Sequence, residues 1–255
     1  MLWAIDVGNT HTVVGLHDGN WRAVWRLATD PGDTEDHFAA VLGQLCDMAN
    51  IPMNAIGVVV GSVVPSVNAA WASFSQEWLG CKAHFVETGA QVGLEVSYDP
   101  PHAVGADRIA NALAAIKKYG APVIVVDFGT ATTFDTIDSE GRYVGGAILP
   151  GVLVSLNALS HRAAKLPSVS LQAPEKAIGR NTVDALQSGV MFGYAGSVDS
   201  LCKKISAELG GHVNVVATGG LAGAFLDLCQ SFDTADPTLT LDGLAIAFSQ
   251  MASLT

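Results

Sequence analysis

Residues 2–16 read LWAIDVGNTHTVVGL, and residues 123–137 read VIVVDFGTATTFDTI. Each is rich in apolar and β-branched residues, the composition that fits a buried pleated strand, and each is followed by a turn signal. After Leu16 comes Asp18-Gly19 and the alternating stretch Trp21 to Leu27; after Ile137 come Ser139 to Gly141 and Tyr143. Each opening reads as a hairpin that starts a sheet. Laid together, Asp6-Val7-Gly8-Asn9 matches Asp127-Phe128-Gly129-Thr130, and Thr12 falls opposite Thr133, at an offset of nearly half the chain. Duplication is the economical explanation.

Between and after the openings, helical and strand patterns alternate. Glu35 to Asn50 carries Phe38, Val41, Leu42, Leu45 and Met48 at near-helical spacing, and Gly57 to Val64 reads as a buried strand. Arg108 to Tyr119 predicts a helix ending before Gly120. Asn181 to Ile205 predicts one long helix or two, capped by Asn181 or Thr182, and Val213 to Ala217 a strand running into Gly219-Gly220. The pattern is α/β in two related domains, 1–119 and 120–255.

Composition narrows the function. At 255 residues, 49% hydrophobic and 15% charged, the chain has apolar surface enough to offset the entropy of ordering. A net charge of −11 without a basic run argues against a nucleic-acid partner, whose phosphates are neutralised by Lys and Arg. The apolar runs Val58 to Val60 and Val123 to Val126 are far below the roughly 18 residues of a membrane helix. Cys46, Cys81, Cys202 and Cys229 form no CxxC pair and read as free thiols. Asp6 interrupts the first apolar stretch and no basic segment precedes it, so no cleaved signal peptide is expected and the expected compartment is the cytoplasm.

A strand that delivers an Asp, then Gly and small polar residues, into a tight turn lets backbone N–H groups approach phosphate and lets the Asp hold a cation. Either loop alone is equally well an ordinary turn. Paired, Asp6 and Asp127 favour a nucleotide triphosphate site, and the absence of GxxxxGK[ST] makes it a non-Walker one. Asp107, after Gly105-Ala106 in Tyr98 to Asn111 (YDPPHAVGADRIAN), stands at an expected helix start. There it either caps the helix or serves as a general base toward an attacking hydroxyl. The glycine pairs Gly219-Gly220 and Gly145-Gly146 suit close backbone contact with a ligand and equally suit plain turns. No HExxH spacing or GxSxG elbow supports a metallohydrolase or serine hydrolase.

Seven segments in order carry a resemblance: IDVGNTHTVVGL, YDPPHAVGADRIANA, VVDFGTATTFD, GGAILPGV, KLPSV, IGRNTVDALQSGV and VATGGLA. On these the chain resembles the type III pantothenate kinases over almost its whole length. The resemblance implies two duplicated ribonuclease H-like (actin-like ATPase) domains with a nucleotide cleft between them, and a homodimer with the pantothenate pocket near the subunit interface. It implies transfer of the ATP γ-phosphoryl group to the 4′-hydroxyl of pantothenate, the first step of coenzyme A synthesis, with magnesium on ATP and a potassium or ammonium ion. By the same resemblance Asp6, Val7, Gly8, Asn9, Thr10, His11, Thr12 and Val13 cradle ATP, with Asp6 orienting its magnesium, and Thr130 contacts ATP. Asp127 holds the monovalent cation. Tyr98, Gly105, Ala106, Asp107, Arg108 and Thr182 line the pantothenate site, with Asp107 as proton acceptor. Members often carry a smaller polar residue in place of His11, and some have a threonine that Ser160 to Ala164 lacks. Sugar and acetate kinases share the paired loops, and Arg108, a partner for a substrate carboxylate, together with the Tyr98 segment is expected to tell the substrates apart.

Overall fold

The computed structural model describes residues 1–162 and 166–253. Lys165 of the KLPSV segment and residues 163–164 of the Ser160 to Ala164 stretch lie outside the described residues. The chain forms two compact units, 1–114 with 239–255, and 115–238.

In the first unit, β1 (Leu2–Val7), β2 (His11–His17) and β3 (Trp21–Ala28) form an antiparallel meander. The opening is thus two hairpins, since Gly8-Asn9-Thr10 breaks the apolar run that reads as one segment. Helix α1 (Glu35–Ala49) follows, then β4 (Gly57–Ser62), α2 (Asn68–Trp78) and β5 (Ala83–Val86), and β4 and β5 join the sheet in parallel. The sheet order is β3-β2-β1-β4-β5. Helix α1 starts on Thr34, whose hydroxyl accepts from the His37 N–H at 3.3 Å, with Glu35 and Asp36 in the first turn facing the positive end of the helix dipole. Phe38, Leu42 and Cys46 point into the core at four-residue spacing; Met48, expected on the same stripe, sits two residues beyond Cys46 and is 73% exposed. Against this face pack Trp3, Ile5, Val58, Val60 and Phe74, with Trp71 stacked on Phe38 at 3.8 Å between ring centroids.

Helix α3 (Ala106–Tyr119) carries the chain from the first unit to the second, dividing at Ala114–Ala115. The second unit repeats the first. Strands β6 (Val123–Phe128), β7 (Ala131–Ile137) and β8 (Tyr143–Pro150) form the meander, followed by α4 (Val152–Arg162), α5 (Thr182–Leu209), β9 (Asn214–Thr218) and β10 (Thr234–Ala235). The order β10-β9-β6-β7-β8 is that of the first sheet with each strand replaced by its counterpart, and the parallel and antiparallel pairings agree. Helix α5 is one helix of 28 residues capped by Asn181, whose Oδ1 accepts from the Asp184 N–H at 2.9 Å.

Two features differ from the sequence reading. The register pairs Val7 with Thr12 and Phe128 with Thr132, so the first turn holds one residue more than the second, and the counterpart of Thr12 is Thr132 rather than Thr133. Both threonines are buried. The last helix, α6 (Leu239–Ser253), belongs to the first unit and not to a 120–255 domain. The cause lies in the sheet face it covers. A Cβ on Gly57 would overlap the Phe248 ring and one on Gly61 would stand 2.9 Å from Leu244 Cδ2, so the glycines make the bed for the helix. The Trp21 indole N–H donates to Asp242 at 2.7 Å, and Thr240 donates to Asn111 at 2.8 Å, fixing α6 at both its sheet and its α3 contacts.

Candidate active site

In a mixed α/β sheet, ligands gather at the carboxyl ends of the parallel strands. Asp6 stands there in the first unit, opposite Val13 on β2 and Gly61 on β4. The turn after it is closed by the Gly8 N–H donating to the His11 carbonyl at 3.0 Å, and the Thr29 N–H donates to the Thr10 carbonyl at 3.1 Å. Beneath it the Thr12 and Thr29 hydroxyls are 2.9 Å apart. Asn9, Thr10 and His11 are exposed at the tip, Asp6, Gly8 and Val13 half-buried, and Val7 buried. The turn is therefore pinned from below and open above, the form a phosphate-binding loop requires.

One strand away, the same sheet edge meets the start of α3. A Cβ on Gly61 would lie 3.6 Å from that of Ala106, and one on Gly105 3.3 Å from a Val63 methyl. Asp107, the second residue of α3, folds its carboxylate back over Gly105, and its Oδ1 accepts from the Arg108 N–H at 2.8 Å. That bond serves one N–H of the first turn from inside the helix, whereas a capping residue acts from the position before it. Burial pushes the Asp107 carboxyl up from the ordinary carboxylate value, and the Arg108 N–H and guanidinium charge only partly oppose it. Arg108 itself is buried.

A pocket of about 280 Å³ opens at the ends of β4 and β5, bounded by Ser62, Asn68, Phe85, Glu87, His102 and Gly105 among others. Ala106 also lines it, so the pocket ends at the residue before Asp107. Tyr98 is half-buried in the segment leading to the short 3-10 turn Pro101–Ala103 and is not among the pocket's lining residues.

The second unit sets Asp127 in the equivalent place, opposite Thr133 on β7 and Thr218 on β9. The Gly129 N–H donates to the Ala131 carbonyl at 3.0 Å, and Gly129 and Thr130 are exposed at the tip. Gly219, at φ +90°, follows β9 directly; a Cβ there would overlap both Asp127 Oδ1 and the Phe128 backbone. The VATGG segment thus presses its backbone against the Asp127 carboxylate. Gly145 and Gly146, by contrast, lie within β8 opposite Thr136 and Asp135, where a Cβ on Gly146 would strike the Phe134 carbonyl. They serve sheet packing. Thr182 is the first residue of α5 and is exposed.

Some contributors carry no sequence signal. Tyr194 on α5 donates to Thr132 at 2.7 Å and its hydroxyl lies 2.9 Å from the Pro150 carbonyl, while a Cβ on Gly151 would overlap the Thr130 carbonyl; together they support the Thr130 turn from behind. Their neighbours in sequence give no hint of this, because the contacts join positions as much as 62 residues apart.

The model of one family, the type III pantothenate kinases, matches residues 2–204. The chain belongs to the type III pantothenate kinase family. A type III pantothenate kinase from Thermomicrobium roseum is 47% identical over 253 residues, covering 98% of each chain, and one from Moorella thermoacetica 44% identical over 252 residues, covering 98% of this chain and 99% of that one. Among solved structures, component A of the (R)-2-hydroxyglutaryl-CoA dehydratase from Acidaminococcus fermentans superposes with a TM-score of 0.55 at 15% identity, each chain fully covered. At that identity the likeness concerns the fold alone. Among the described residues, no helix is long and apolar enough to cross a membrane.

Proposed function

We propose that this pantothenate kinase runs its reaction at the carboxyl edge of the first sheet, with Asp107 as the proton acceptor. The observation that carries the assignment is the position of the Asp107 carboxylate, held over Gly105 beside the pocket and raised in pKa by burial. ATP enters with its phosphates on Asp6, Val7, Gly8, Asn9, Thr10, His11, Thr12 and Val13. Pantothenate occupies the pocket lined by Gly105 and Ala106, next to Asp107 and Arg108 in the chain.

Asp107 accepts the proton of the 4′-hydroxyl as that oxygen attacks the γ-phosphorus in line. The new P–O bond forms as the bond to the β-phosphate oxygen breaks, ADP leaves, and the proton stays on Asp107 until released to water. A carboxyl with a raised pKa is a stronger base, better matched to this task than an ordinary aspartate. No covalent enzyme intermediate is required.

The residues present fit the cations the family implies. Asp6 would orient ATP-bound magnesium, and Asp127, whose oxygen lies against the Gly219 backbone, would hold potassium or ammonium among oxygen donors. When bound, these ions supply positive charge against that gathering on the phosphoryl oxygens. A homodimer is the proposed assembly, supported by the exposed apolar Leu153, Val154, Leu159 and Val183 on α4 and α5. The cytoplasm is the proposed compartment, where the product feeds coenzyme A synthesis. The deciding experiment is ADP release with MgATP and pantothenate, in potassium and in sodium buffer, with a sugar and acetate as control acceptors. Turnover only with a control acceptor would overturn the substrate assignment, and equal turnover in both buffers would overturn the monovalent site.

A further inference from the structure

The two Asp-x-Gly turns are held from below by different residues. In the first unit the buried Thr12 hydroxyl lies 2.9 Å from that of Thr29, and the Thr29 N–H also donates to the Thr10 carbonyl at 3.1 Å. Thr29 directly follows β3, whose last residue, Ala28, pairs with His11. The first turn is therefore held by its own meander. In the second unit Pro150 pairs with Ala131, which makes Gly151 the counterpart of Thr29. Gly151 has no hydroxyl, and no side chain fits there: a Cβ would stand 2.1 Å from the Thr130 carbonyl oxygen and 2.9 Å from that of Gly129. The second meander is thus barred by its own tighter turn from supplying the bond that holds the first.

Tyr194 supplies that bond from outside the sheet. Its hydroxyl lies 2.7 Å from Oγ1 of Thr132, the counterpart of Thr12, and 2.9 Å from the Pro150 carbonyl. Its ring lies 6.4 Å from that of Phe128, centroid to centroid, within the range of an aromatic contact. One side chain of α5 so meets the last residue of β6, the second of β7 and the last of β8, the three strand ends around the Asp127 to Thr130 turn. Thr132 is 0% exposed, so water does not replace a partner it loses.

We propose that Tyr194 is a positioning residue for nucleotide binding, acting through Thr132 to set the turn that carries Thr130. This rests on the reading, given by the family resemblance, that Thr130 contacts ATP. The second turn takes its set from a helix, the first from its own sheet.

The test compares the wild-type full-length protein with three variants. Y194F keeps the ring and removes the hydroxyl, T132V breaks the same bond from the other side, and Y194F/T132V combines them. Each single variant is expected to raise KM for ATP about tenfold, the equivalent of one hydrogen bond, with kcat within about threefold and KM for pantothenate unchanged. The double variant should also stand at about tenfold rather than about 100-fold, because both changes break one bond. If Y194F does not fold, T132V gives the same readouts. T130E, which sets a negative charge at the tip of the turn, should raise KM for ATP at least as far. A Y194F KM for ATP within about twofold of wild type, with T130E raising it, overturns the proposal. So do equal rises in KM for ATP and pantothenate, or a double variant near about 100-fold, which would make Tyr194 a packing residue only. A native KM for ATP in T130E overturns the reading of Thr130 beneath the proposal, and the proposal with it.

Discussion

Oδ1 of Asp107 occupies the space that a side chain on Gly105 would need, so the glycine and the carboxylate are one geometric unit. The Asp107 carboxylate can fold back over the turn before α3 only because Gly105 presents a bare α-carbon. Gly105→Ala is therefore expected to displace the carboxylate while leaving α3 intact. A misplacement of about 1 Å at a reacting group can cost on the order of 100-fold, so kcat should fall by about that factor with little change in circular dichroism. Steady-state kinetics with a parallel melt checks this, and a G105A enzyme with native kcat would detach Asp107 from the chemistry.

Asp107→Asn should separate function from stability. Loss of the base is expected to lower kcat by roughly 100- to 10,000-fold, with ATP affinity retained. Stability moves the other way. The folded carboxyl has a raised pKa, so the native state binds its proton more tightly than the unfolded chain, and its contribution is fully present below the unfolded pKa and lost as pH rises through the folded one. At neutral pH the wild type thus carries the cost of a buried charge that the amide lacks. D107N should melt higher than wild type at pH 7, with the difference shrinking toward pH 4; melts across that range decide it.

The strand-turn-strand openings were legible because their apolar, β-branched runs and Asp-x-Gly breaks are local signals, and local signals survive in a linear sequence. The pairing of Thr12 with Thr132 was not. A one-residue difference between two turns shifts every later position, and only the ladder partners Val7 and Phe128 reveal it. The 120–255 boundary places α6 in the second domain by its position in the chain, whereas its packing is set by Gly57 and Gly61, which lie some 180 residues earlier and announce nothing about what covers them. Asp107 was visible as a choice between cap and base, and the family pattern weighted that choice.

Gly219 and Asp127 make the second contact of this kind, and it bears on cation dependence. A methyl at Gly219 would push against both Asp127 Oδ1 and the Phe128 backbone, and the residue's φ of +90° adds strain for any side chain. Gly219→Ala should weaken the monovalent site, raising the potassium concentration for half-maximal rate by about tenfold or more, the equivalent of losing one to two kcal/mol of binding. Asp127→Asn should remove the dependence itself. Rates titrated against potassium chloride at constant ionic strength distinguish the two, and unchanged half-saturation in both variants would exclude this pair as the site.

Asp236 anchors the second unit from within. Its side chain is 6% exposed, is ion-paired with Lys118, and accepts from the Tyr119 hydroxyl at 2.8 Å and the Thr238 N–H at 3.2 Å, while its carbonyl accepts from Thr218 at 2.7 Å. Burial alone would raise its pKa, but the Lys118 and Tyr119 hydrogen bonds outweigh it and hold the carboxyl below the usual 3.8. A depressed folded pKa means stability present above the unfolded value and lost as pH falls through the folded one, so this contribution disappears only in strong acid. Asp236→Ala should cost about 2 kcal/mol at pH 7, as hydrogen bonds to a charged group are worth about 1.5–3 kcal/mol. The low side of that range is expected because the Lys118 side chain is 36% exposed and screened by solvent. Urea unfolding at pH 7 and pH 3 checks both parts: the penalty of D236A should be near 2 kcal/mol at the first and smaller at the second, and a penalty independent of pH would mean that the carboxylate's charge contributes nothing to holding β10 and α3 together.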